Sequence, residues 1–101
     1  MERRTVNGVT FYASPLLARR GVPHAFSTRL GGVSPAPFDS LNLGNPNGCA
    51  VQDDSNRVRE NYRLLQDAAG CGGRELCHVH QVHGADVVLV ERFEQGHALA
   101  A

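Results

Sequence analysis

Residues 5–12 read "TVNGVTFY", with Asn7-Gly8 set between residues that favour extended backbone. A tight two-residue hairpin turn needs positive φ at both central positions, and Asn-Gly tolerates it, so the stretch predicts a β-hairpin at the N-terminus. Moving outward, "LLARRG" from Leu16 reads as one helical turn ended by Gly21, or as a loop. Residues 22–29, "VPHAFSTR", read as a strand with Val22, His24, Phe26 and Thr28 on one face. From Gly31 to Gly48 the chain is rich in Gly, Pro, Ser and Asn, an irregular segment of the length that is usually functional or disordered. The clearest helix follows in "SNRVRENYRLLQDAAG" (55–70), where Val58, Tyr62, Leu65 and Ala69 recur at helical spacing. Asp53, Asp54 or Ser55 can cap its start, and Gly70 can end it. Residues 76–83 read as a strand, Gly84-Ala85-Asp86 as a turn and "VVLVE" (87–91) as a second strand, while residues 92–101 carry no signal.

A chain of 101 residues is enough for one small domain and not for two. Its formal net charge is zero, so it offers no basic field to attract nucleic acid or anionic lipid, and neither is expected as a partner. All ten cationic side chains are Arg, which excludes a Lys nucleophile or Schiff base within the chain. Ile is absent as well, and codon bias in a GC-rich genome explains both absences. Cys49, Cys71 and Cys77 are odd in number and form no C-x-x-C pair. No apolar run is long enough for a signal peptide or a membrane span, so the expectation is a cytoplasmic protein with reduced thiols.

Three of the five histidines fall in "HVHQVHG" (78–84). On a regular strand His78 and His80 share one face and His83 lies on the other, so the three cannot easily share one metal. His78 and His80 can chelate as an i, i+2 pair, while His83, just before Gly84, can project into a cleft. A catalytic zinc needs three protein ligands and an open position, so either arrangement needs ligands from elsewhere. Cys77 shares a face with His83 but lies roughly 20 Å along the strand, and inert buried thiols are the default reading of all three cysteines.

Two further constellations carry chemistry. In "FSTRLGG" (26–32), Arg29 at a strand end precedes paired glycines, a cation beside backbone that a ligand can approach closely. That suits an oxyanion such as phosphate; the alternative is a surface Arg beside an ordinary Gly-Gly turn. In "SLNLGNPNG" (40–48), Asn42 lies between two leucines and so points away from them, toward a site or solvent, or caps a turn.

Taken in order, "HAFSTRLGGVSPAPFDSLNLG" (24–44), "DDSNRVRENYRLL" (53–65) and "QVHGADVVLV" (81–90) resemble the N-terminal part of the YfiH family. Its members have been called laccase-domain proteins, multicopper polyphenol oxidases, peptidoglycan editing factors and zinc-dependent purine nucleoside enzymes. The resemblance implies an α/β (α+β) fold, a sandwich of mixed sheets, of which residues 1–101 would form the N-terminal portion of a single domain. It implies one metal, usually zinc, held by His83, by a Cys of a later A-D-C block and by a His ahead of a later G-W-R-G block. His78 and His80 acquire no role from it.

The activity so implied is phosphorolysis of adenosine, inosine, guanosine and methylthioadenosine, with deamination of adenosine, for which zinc would activate water. Catalysis would centre on His83, with Arg29 on the phosphate and Asn42 lining the nucleoside pocket. The sequence departs from the family pattern at Asn61-Tyr62, where Asn-Arg is usual, and in a longer loop, "NPNGCAVQDD" (45–54). Neither A-D-C nor H-A-G-W-R-G occurs before Ala101, so a C-terminal half is expected to complete the site. The competing expectations are a non-catalytic truncated module and a copper-dependent polyphenol oxidase.

Overall fold

The computed structural model describes residues 1–45, 50–80, 84–87, 89 and 98–100. The N-terminal hairpin forms as the sequence predicts. β1 (Glu2–Val6) pairs antiparallel with β2 (Val9–Ala13), in a register running from Val6 opposite Val9 to Glu2 opposite Ala13. Asn7 and Gly8 turn the chain at φ values of 50° and 84°, the positive pair such a turn needs. β2 lies at the centre, with Val9, Phe11 and Ala13 all buried on one face. Thr10, on its other face, is also buried; its hydroxyl meets that of Thr5 at 3.0 Å and its carbonyl accepts from Thr28 Oγ1 at 2.6 Å. β1 is exposed throughout, and its Glu2-Arg3-Arg4 start blunts that edge of the sheet against further pairing.

The helical turn after the hairpin is real: α1 spans Pro15–Arg19. Ser14 caps it by accepting from Leu17 N, and Pro15 occupies the first position, where a missing N–H costs nothing. At its end Gly21 (φ 69°) donates to Ala18 O, and Val22 N donates to Leu17 O, each at 3.1 Å. That is the paired C-terminal closure for which glycine is favoured.

The strand expected over residues 22–29 shrinks to β3 (Phe26–Ser27), antiparallel to β2 with Tyr12 opposite Phe26. Two local causes shorten it. Pro23 has no N–H to give a ladder. His24 Nε2 instead accepts from Ser14 N at 2.7 Å, and its Nδ1 meets Val22 O at 2.8 Å.

α2 spans Ser55–Ala68. Of the three candidate caps it is Asp54 that accepts from Asn56 N, at 2.8 Å. Gly70 (φ 78°) and Cys71 close the C-terminus on Asp67 O and Gln66 O. The helix is rotated from the expected face. Asn61 is wholly buried, and Leu64, Leu65 and Ala68 pack on the core formed by Val9, Phe11, Ala13 and Leu41. Val58 and Tyr62 lie on a flank beside Leu76 and His78.

Between β3 and α2 the described chain is irregular, as expected, with one isolated bridge joining Ser34 and Ser40. Beyond α2, β4 (His78–His80) pairs in parallel with β5 (Ala98–Ala100). β5 lies where the sequence carried no signal, since Ala-Leu-Ala is short and has no β-branched residue. Of the strand expected over 87–91, Val87 and Leu89 are described and belong to no strand; Val88, Val90 and Glu91 lie outside the described residues. The described architecture is α+β: a three-stranded antiparallel sheet, two helices and a two-stranded parallel pair. None of the described helices is long and apolar enough to cross a membrane.

Phe11 and Tyr12 are neighbours on opposite faces of β2, the first buried and the second exposed. Phe11→Ala is expected to cost about 3–5 kcal/mol, and Tyr12→Ala about 1 kcal/mol or less. Urea denaturation followed by circular dichroism checks the contrast.

Candidate functional site

The irregular segment has no ladder to satisfy its backbone, and side chains from the start and middle of α2 take over that work. Asn61 accepts from Val33 N through Oδ1, and its Nδ2 donates to Ser34 Oγ and to Asn42 O, each bond being 2.8 Å. Ser34 in turn donates a short hydrogen bond to Asp53 Oδ2. Asn42 Nδ2 donates to the same oxygen at 3.3 Å. Asp53 Oδ1 accepts from Asp54 N at 2.9 Å and faces Arg57 at 3.8 Å. Asn45 and Asp53 exchange a reciprocal pair of bonds, each 2.8 Å, between the Asn45 amide and the Asp53 backbone. Among the described residues no buried side-chain nitrogen or oxygen lacks a partner.

Asp53 is thus a fixed anion at the root of α2. The Ser34 hydroxyl does most to hold its carboxyl below the usual aspartate range; burial opposes it, and Asn42, Asp54 N–H and Arg57 reinforce it.

Arg29 sits at the edge of this cluster. Its carbonyl accepts from Ser40 N at 2.7 Å, Leu41 N at 2.9 Å and Ser40 Oγ at 3.1 Å, so the "FSTR" and "SLNLG" segments are tied together there. The Arg29 side chain is exposed, and its guanidinium joins no ion pair among the described residues. Asn42 does two jobs. It turns its amide nitrogen to Asp53, away from the packed leucines on either side, and its Oδ1 accepts from Gly44 N at 3.4 Å as a turn cap.

The paired glycines have a packing reason. A Cβ on Gly31 (φ 106°) would strike the backbone of Gly8 and Val9, and one on Gly32 would lie 2.5 Å from Asn61 Oδ1 and Leu41 Cα. They let the segment lie directly on the hairpin turn and on the polar cluster.

The histidines separate. His78 is exposed and sets its ring edge-on to Tyr62, centroids 5.1 Å apart, while burial pushes the Tyr62 phenol up. His80 belongs to β4. His83, the expected metal ligand, lies outside the described residues, as does Cys49. Cys71 and Cys77 are free thiols. Among the described residues no three His, Cys, Asp or Glu side chains group to hold a metal ion.

Sequence reasoning treated Asp53 only as a candidate cap, gave Ser34 no role and noted Asn61 only as a departure from a family motif. A signal for Asn61 was present: it stands in helical step with Leu64, Leu65 and Ala68, which marks the core-facing stripe.

The family model described as multi-copper polyphenol oxidoreductase laccase matches residues 23–101. A purine nucleoside phosphorylase of Deinococcus radiodurans is 39% identical over 97 residues, covering 94% of this chain and 35% of that protein. One of Streptomyces coelicolor is 37% identical over 90 residues, 89% of this chain and 30% of the relative. Another, purine nucleoside phosphorylase YfiH of Shigella flexneri, is 42% identical over 69 residues, 68% of this chain and 26% of the relative. The chain therefore spans about a third or less of the length of these curated relatives. No solved structure matches it significantly.

Two outcomes follow from the cluster. Asn61→Leu keeps the size but strands Val33 N and Asn42 O, and is expected to cost about 2 kcal/mol or more in denaturation experiments. Because the folded-state pKa of Asp53 is lowered, its contribution is full above the unfolded aspartate pKa. Stability should therefore fall as pH drops from about 4 through the lower folded value, since the unfolded chain takes up the proton first. Asp53→Asn should flatten that fall, as measured by unfolding midpoints across the acid range.

Proposed function

The chain belongs to the multi-copper polyphenol oxidoreductase laccase family, to which the YfiH proteins belong, and from that premise we propose that it is the N-terminal portion of a purine nucleoside phosphorylase domain. The observation that carries the reading is the alignment of 94% of the chain with a relative of that name. In this reading the whole domain is the family's mixed-sheet sandwich, works in the cytoplasm and takes a purine nucleoside and inorganic phosphate as substrates. Adenosine, inosine, guanosine and methylthioadenosine are the proposed range, with adenosine deamination as a second activity.

Phosphorolysis joins a phosphate oxygen to C1′ of the ribose while the bond from C1′ to the purine nitrogen breaks. The purine leaves with the electron pair and takes up a proton, and ribose 1-phosphate remains. Arg29 is assigned to the phosphate, because a guanidinium can grip two of its oxygens and offset their charge. The lack of any competing ion pair among the described residues supports the assignment. Asn42 is assigned to the nucleoside. Its bonds to Asp53 and Gly44 leave one N–H and one oxygen lone pair for a ribose hydroxyl or a purine edge.

The proposed metal is zinc, which would supply Lewis-acid and water-activating chemistry. The described residues alone do not fit it, for no three-ligand group exists among them. His83 is the ligand assigned from this chain, and the C-terminal part of the family polypeptide is expected to supply the rest. The name multi-copper polyphenol oxidoreductase laccase favours copper and phenol oxidation as a second reading; a phenol oxidised with added copper and not with zinc would establish it. A third reading, a non-catalytic module, requires protein that binds no metal even when completed.

The test co-expresses the chain with the remaining part of the Deinococcus radiodurans relative and assays inosine breakdown. Hypoxanthine release that depends on phosphate is expected. Arg29→Ala should raise the KM for phosphate about tenfold or more, and His83→Ala should abolish both zinc binding and turnover. Nucleoside cleavage indifferent to phosphate, or to Arg29→Ala, would defeat the reading.

A further inference from the structure

Two adjoining cavities open along the flank of α2 that carries Val58 and Tyr62, and they share Arg59, Tyr62, Leu76 and His78. One, about 390 Å³, is apolar, with Leu43 and Val58 joining Leu76. The other, about 740 Å³, is cationic, with Arg63 and Arg74 joining Arg59. Each is in the size range of small-molecule sites. Tyr62 and His78, ring edge against ring face, mark the boundary between the two halves. Gln66 Nε2 donates to Arg74 O at 3.1 Å and ties the segment after α2 to the helix, so Arg74 is held over the cationic half.

The three arginines there are not equivalent. Arg63 is occupied, with Glu60 and Asp67 both in bonding distance at 2.5–3.1 Å. Arg59 has only a 3.4 Å bond to Asn56 Oδ1. The Arg74 guanidinium joins no ion pair among the described residues. The cleft therefore pairs an apolar, aromatic-walled half with two forked cations that join no ion pair among the described residues. Neither Arg29 nor Asn42 lines it.

We propose that this cleft binds a nucleoside monophosphate, its base in the apolar half against Tyr62 and its phosphate on Arg59 and Arg74. A planar ring gains dispersion contacts from Val58, Leu43 and Leu76 and aromatic contact from Tyr62. A phosphate gains two charge-assisted contacts from guanidiniums that have little else to bond. A free nucleoside would use only the first half and inorganic phosphate only the second. The site goes beyond the phosphorylase reading and uses neither Arg29 nor Asn42.

Calorimetric titration of the protein at low ionic strength with adenosine 5′-monophosphate, adenosine and inorganic phosphate tests it. The monophosphate should bind more tightly than either of the other two, and more weakly as salt is raised. The double variant Arg59→Ala/Arg74→Ala should weaken it about tenfold or more and leave adenosine unchanged. Both side chains are exposed, so the fold tolerates the change. Val58→Ser should weaken monophosphate and adenosine together. A monophosphate that binds no better than inorganic phosphate would overturn the proposal. So would binding lost on Arg29→Ala but kept in the double variant, which would place the ligand at the phosphate position of the phosphorylase reading instead.

Discussion

The described fold depends on the side-chain amide of Asn61. It is the one fully buried polar side chain on α2, and it reaches three points of the irregular segment: Val33 N, Ser34 Oγ and Asn42 O. An apolar residue there could fill the volume, but it could not supply the partners that Val33 N and Asn42 O find in its amide. The helix thus does two kinds of work on one stripe. Leu64, Leu65 and Ala68 cover the sheet, and one turn earlier Asn61 organises the loop.

Asp53 extends this arrangement to the helix entrance. The sequence has two adjacent aspartates, and the structure divides their labour. Asp54 caps α2, while Asp53 turns inward to take the Ser34 and Asn42 bonds. Burying a carboxylate is costly unless its oxygens are met, and here both are. The loop that carries Arg29 and Asn42 is therefore fixed from beneath by charge-assisted bonds, with Gly31 and Gly32 allowing it to lie close.

What the sequence made legible follows from the range of each interaction. The hairpin, both glycine helix ends and the cap of α2 are decided within a few residues; residue type and spacing gave the hairpin and the Gly70 end, left the Gly21 end beside a loop alternative and narrowed the cap to three candidates. The strand over 22–29 failed because His24 found partners at Ser14 and Val22, a tertiary choice that alternation does not encode. The helix face was misplaced because an asparagine counts as polar in any periodicity, yet buries when another segment brings donors and acceptors to it. The Ser34 and Asp53 roles were illegible for the same reason, since their partners lie 19 residues apart. Of the proposed reaction residues, Arg29 and Asn42 were found from local pattern and stand on one tied backbone.

The wide separation in sequence of the cluster's members has a consequence for synthesis. A ribosome releases the chain from its N-terminus, so the hairpin of β1 and β2 can close once Ala13 has emerged, well ahead of α2. Its apolar face, Val9, Phe11 and Ala13, then lacks the cover of Leu64, Leu65 and Ala68 until α2 arrives. The loop cannot settle either until residue 61 supplies its amide. For several seconds at ordinary elongation rates, roughly 5–20 residues per second, the nascent chain carries a formed hairpin with a bare hydrophobic side. Vectorial folding of this segment therefore has one committing event, the release of α2, and a stall before that point would present the β2 face to chaperones or to neighbouring nascent chains.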